Sequence, residues 1–278
     1  MSSKTTLPVV PAESDVSLAL AGREPLAARI YGKKRPGAST PLVLHFHGGA
    51  FTSGDLDSGE CLAGLMEQSG AVVVSVAYPL APQHPFPDAV EAGHAALEWL
   101  YKNRTRLGGA QARLFVAGEE AGGNIAAAVA MVARDRAEPP LAGQILVAPM
   151  LDPCNAMPSQ REATGDDTHC KWSAGWQGYL RGPMDAEHPY AVPARATRLA
   201  GLPPALILTG DDDAMRDEAI AYARRLEAAG IPVSSNILCD GTGWPDALAE
   251  PVVDECPCAA AARKHLQAFF EATVPVPS

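Results

Sequence analysis

The chain has 278 residues, 47% of them apolar and 19% charged, an ordinary globular composition with enough apolar side chain for one large core. A formal charge of -10 argues against nucleic acid, which calls for a basic face, and against anionic membranes. No apolar run reaches transmembrane length, and MSSKTTLPVVPAESD at the start lacks a signal-peptide core, so the sequence predicts a soluble, cytoplasmic protein.

In chain order, Val16 to Leu20 and Leu26 to Tyr31 flank a turn and predict a hairpin. Short runs follow at Leu42 to Phe46, Val72 to Val76, Leu114 to Ala117, Ile145 to Ala148 and Ala205 to Leu208. Each is apolar on both faces, as a central parallel strand requires. Helical patterns lie between and after them, at Cys61 to Gln68, Asp88 to Tyr101, Asn124 to Arg134 and Glu218 to Ala229, and a last strand spans Val233 to Cys239. This alternation predicts an α/β fold with a mostly parallel sheet covered on both faces, active groups sitting at the carboxyl ends of the strands. Residues 151–200, rich in Pro, Gly and Asp, predict an irregular cap-like insertion within a single domain spanning 1–278. Six scattered cysteines favour reduced thiols over a disulfide framework. Cys256-Pro257-Cys258 lacks the second pair that a metal site needs, so neither metal nor cofactor is expected.

Two motifs carry chemistry. His45-Phe46-His47-Gly48-Gly49-Ala50-Phe51 ends a strand in a glycine turn, where backbone N–H groups can face a developing oxyanion. Val116-Ala117-Gly118-Glu119-Glu120-Ala121-Gly122-Gly123-Asn124 reads as strand, glycine-flanked turn and helix start, the layout of a nucleophile elbow. With these two motifs, Tyr78-Pro79-Leu80-Ala81-Pro82-Gln83-His84-Pro85-Phe86-Pro87 and Arg216-Asp217-Glu218, the chain resembles the hormone-sensitive-lipase-like (bacterial esterase) branch of the α/β-hydrolases over about residues 15–272. Elbows of that family commonly read GDSAGGN. The resemblance implies an α/β-hydrolase fold, an oxyanion hole at the amides of Gly49, Ala50 and Ala121, and a triad at 120, 213 and 242. It also implies a possible homodimer, because family members often pair through their last strand. Only residues 1–15 precede the first predicted strand, so the family's N-terminal cap is expected to be reduced and the pocket more open.

The departures matter as much as the match. Glu120 stands where the family carries its serine, Asp213 keeps the acid position, and Thr242 or a gap falls at the histidine. Of seven histidines only His265 follows the last strand, and it comes too late for the loop. A serine hydroxyl needs a base to become a nucleophile, and both groups are missing. The start of the following helix favours an anion, so Glu120 is expected to turn its carboxylate onto the amides of Gly49, Ala50 and Ala121 and plug the hole. The leading expectation is a degenerate esterase-family member that lacks serine esterase activity and binds a small ligand or acts as an interaction module. The rival is an enzyme of altered chemistry, a hydrolase, lyase or cyclase, with Glu120 as base or nucleophile. Ser53 is a minor alternative nucleophile, and Trp172, Trp176 and Trp244 are expected in the core or as apolar pocket walls.

Overall fold

A computed structural model describes residues 13–35, 39–153, 157–164, 170–238, 241–248 and 257–273. The runs apolar on both faces become the middle of one eight-stranded sheet. Its strands are β1 (Glu13–Leu18), β2 (Leu26–Tyr31), β3 (Pro41–Phe46), β4 (Val72–Val76), β5 (Arg113–Glu119), β6 (Gly143–Val147), β7 (Ala205–Gly210) and β8 (Val233–Leu238), in the spatial order β1-β2-β4-β3-β5-β6-β7-β8. Only β2 runs against the rest, since it pairs antiparallel with both β1 and β4 and every other pairing is parallel. The hairpin forms with Leu18 opposite Leu26, earlier than the apolar run suggests, because Leu20 leaves the ladder and is buried in the connection.

Side chains alternate across the sheet with period two. Leu42, Leu44, Phe46, Val116 and Ile207 face one cluster, packed under α2 (Asp88–Gly108), α3 (Ala121–Arg136) and α7 (Arg216–Ala228). Val43, Val73, Phe115, Ile145 and Leu208 face the other, under α1 (Glu60–Gln68) and α8 (Pro257–Ala272). Helix α2 runs seven residues past the apolar pattern that ends at Tyr101, carried by a mostly polar turn whose Leu107 packs on the core. In α3, residues 121–133 are all buried, and its alanines and glycines let it lie close to the sheet. A Cβ on Gly122 would come 2.0 Å from the Phe46 carbonyl oxygen, so this helix start lies directly against the end of β3.

The stretch expected to be irregular holds short helices among its described residues: α4 (Pro158–Thr164), α5 (Lys171–Tyr179) and α6 (Pro183–Ala186). One expectation is overturned. Cys258 is disulfide-bonded, where the scattered spacing favoured reduced thiols; distance along the chain says little about which sulfurs folding brings together. Cys61 and Cys170 are free. Cys154, Cys239, Cys256, His169 and Asp240 lie outside the described residues. No described helix is long and apolar enough to cross a membrane.

Candidate functional site

The strand order reverses at β3, with β4 on one side and β5 on the other. Crevices at such points, outside the carboxyl ends of the strands, are where open α/β sheets hold ligands. Here the glycine turn after β3 meets the sharp turn between β5 and α3. Glu120 occupies that second turn with φ 51° and ψ -117°, a conformation costly for a non-glycine residue. Four backbone bonds hold it there. Its N–H donates to Val147 O (3.1 Å), and its carbonyl accepts from Gly123 (3.1 Å), Asn124 (3.3 Å) and Met150 (2.9 Å). The elbow expected from spacing is present in geometry.

The Glu120 side chain is buried and turned onto the glycine turn. Its Oε2 accepts from the N–H of Gly49 at 2.5 Å and of Ala50 at 2.7 Å. Its Oε1 accepts from Trp172 Nε1 at 2.6 Å, and Lys171 Nζ stands 3.6 Å from the same oxygen. The Ala121 amide, expected as a third donor, has no bond to the carboxylate; the indole and ammonium come from α5 instead. A buried carboxylate is tolerable only when donors replace its water, and charge-assisted bonds of this kind are worth roughly 1.5–3 kcal/mol each. The sequence offered Trp172 only as core or an apolar pocket wall, not as a hydrogen-bond donor, and did not point to Lys171. The usable hint was chemical: a buried Trp needs an acceptor for its N–H.

Behind Glu120 lies a second buried array. Glu119 Oε1 accepts from the Gly48 N–H at 3.0 Å, and its Oε2 lies 2.7 Å from His45 Nε2. His45 Nδ1 lies 2.9 Å from Ser75 Oγ on the neighbouring strand. A histidine and a serine inside apolar strands were the available signal, since buried polar groups need partners. His47 stacks on Tyr78, and burial pushes its imidazole below the ordinary value.

The acid position is buried and incomplete. Asp213 Oδ1 accepts from the Met215 N–H at 2.8 Å, while its buried Oδ2 has no partner among the described residues. Burial pushes the carboxyl up to about 7, against the amides of Met215 and Gly210. Thr242 turns elsewhere. Its hydroxyl donates to Asp212 Oδ1 at 2.8 Å and its N–H to the same oxygen at 2.9 Å. Glu120, Asp213 and Thr242 are therefore not joined by hydrogen bonds to one another, and no imidazole among the described residues bonds to Glu120 or Asp213. Ser53 Oγ donates to Gly49 O at 3.0 Å, and His265 lies in α8, which packs against α1.

A cavity of about 210 Å³ opens beside Glu120, lined by the glycine turn, Thr52, Ser53, Glu119, Lys171, Pro245 and Asp246. Lys171 ion-pairs with Asp246 at its mouth. No described group of three or more His, Cys, Asp or Glu is arranged to hold a metal ion.

Comparison with known proteins agrees with this fold. Residues 43–241 match a family described as alpha/beta hydrolase fold. The chain is similar to Esterase LipI of Mycobacterium tuberculosis, 40% identical over 234 residues that cover 81% of this chain and 73% of that protein. It is also similar to Carboxylesterase NlhH of the same organism, 35% identical over 224 residues covering 76% and 68%. Among solved structures, a thermostable esterase from Pseudomonas putida superposes with a TM-score of 0.84 at 28% identity, covering 97% of this chain and 85% of that one.

Proposed function

The chain belongs to the alpha/beta hydrolase family, as the match over residues 43–241 shows, and we propose that it is a degenerate member without ordinary serine carboxylesterase activity whose retained cavity takes a small ligand. One observation carries the reading. At the elbow, where a neutral hydroxyl would be poised to attack, a carboxylate instead occupies the two turn amides that would otherwise face an oxyanion. A substrate carbonyl oxygen cannot occupy a place already filled by Glu120 Oε2. Asp213 Oδ2, without a partner among the described residues, supports the same reading, because a working relay would spend that oxygen on an imidazole.

The alternative, Glu120 as base or nucleophile in altered chemistry, is not favoured by the contacts. Both carboxylate oxygens accept strong hydrogen bonds, which lower the reactivity of the lone pairs such a step needs.

The test is direct. A fluorophosphonate probe should leave the purified chain unlabelled, and short-chain p-nitrophenyl esters should not be turned over above the rate of Glu120→Ala. Brisk ester cleavage with covalent capture at another side chain would defeat the proposal. Epoxide labelling of Glu120, seen by mass spectrometry, would favour the altered-chemistry reading instead.

A further inference from the structure

We propose that Glu120 is a clasp holding helix α5 shut over the glycine turn, so that cap closure depends on a carboxylate seated among four donors from two separate parts of the chain. This rests on the reading of Glu120 as a plug and extends it to the cap side of the site.

The contacts come in two pairs. Gly49 and Ala50 donate from the turn to one carboxylate oxygen. Trp172 and Lys171, the first two residues of α5, approach the other. A serine at the elbow would end at its first side-chain oxygen, while glutamate carries its carboxylate two carbons further and reaches both elements at once. Trp172 is 7% exposed, and Glu120 is the acceptor for its buried N–H. Lys171 stands 5.0 Å from the Trp172 ring centroid and also pairs with Asp246, which ties the clasp to the loop after β8.

Beyond the clasp, α5 lies directly on the turn. A Cβ on Gly175 would come 2.2 Å from the Ala50 carbonyl oxygen. Phe51 stacks on Tyr179 with ring centroids 4.0 Å apart and lies 5.0 Å from the Trp176 ring. The apolar face of α5 thus depends on the turn for burial, and its polar end depends on Glu120. Two backbone amides, an indole N–H and an ammonium make a receptor for the carboxylate class of ligand, and the molecule fills it with its own side chain.

The experiment is amide hydrogen exchange on the full chain, comparing wild type, Glu120→Ala and Trp172→Phe. Both variants should exchange about ten- to a hundredfold faster over residues 171–179, the factor expected for losing one or two hydrogen bonds to a charged group, with little change over 121–133. Acetate or propionate should restore slow exchange in Glu120→Ala, saturably, and chloride at equal ionic strength should not. Trp172→Phe keeps Glu120 in place, so acetate should leave it unchanged. Should Glu120→Ala fail to fold, Trp172→Phe alone decides. Unchanged exchange over 171–179 overturns the clasp, and recovery by chloride as readily as by acetate overturns the carboxylate receptor. Neither result touches the absence of esterase activity, which ester turnover by the wild type alone would disprove.

Discussion

Asp213 is a buried acid at the position that the family resemblance gives to the acid. Its Oδ2 finds no donor among the described residues, and burial pushes the carboxyl up to about 7. Glu218 nearby is pushed up to about 8, again by burial, against the amides of Leu151 and Asp152 that it accepts from. An acid whose pKa is higher in the folded state binds its proton more tightly there. Its contribution to stability is therefore largest at low pH and is lost as pH rises from the ordinary carboxylate value through 7 to 8. Asp213→Asn removes the ionisation while its amide oxygen can still accept from the Met215 N–H. Thermal melts should show a gain on the order of 1–3 kcal/mol at about pH 8 that fades toward about pH 5, where the native aspartate is already neutral. A loss of stability at both pH values would mean that Asp213 has a partner it needs in the charged form. The residue types at 120 and 213 were legible in the sequence, because motif spacing identifies a position. The state of Asp213 was not, because it depends on burial and on which donors fail to arrive.

Helix α5 is the element on which the site turns, and the sequence marked it only by Trp172 and Trp176 within a Pro- and Gly-rich stretch, with no helical pattern. Its neighbour, the glycine turn, already holds Ala50 at φ 47° and Phe51 at φ 65°, so it has little freedom to yield. Gly175→Ala should therefore push α5 off the turn. We expect a loss of about 1–3 kcal/mol, the usual cost of overpacking, with a lower Tm and altered tryptophan fluorescence from Trp172 and Trp176. A substitution at Gly182, where an added Cβ meets nothing within 4 Å, should leave both unchanged. Strands were far easier to read than this helix. A run such as Val72 to Val76, buried on both faces, announces itself in five residues. A short helix closed by contacts to a distant turn carries no comparable periodic signal.

Across the whole molecule, ester hydrolysis would need a nucleophile after β5, amides after β3 and a base after β8 to meet at one edge of the sheet. Replacing one part cannot restore the others. Glu120→Ser alone should show no p-nitrophenyl acetate turnover above Glu120→Ala, whereas adding Thr242→His should give measurable activity if residue 242 can leave Asp212 and reach Asp213. By itself the sequence determined the fold class, the elbow, the carboxylate standing in it and the lack of a histidine in the expected loop, because strand periodicity and motif spacing are local properties of a chain. Only the tertiary structure decided that Glu120 meets Trp172 and Lys171 rather than Ala121, that Thr242 binds Asp212, and that His45 and Glu119 share a buried contact. Those pairings join side chains from loops and strands far apart along the chain, and the packing of helices on the sheet, not their separation in sequence, sets which of them come within bonding distance.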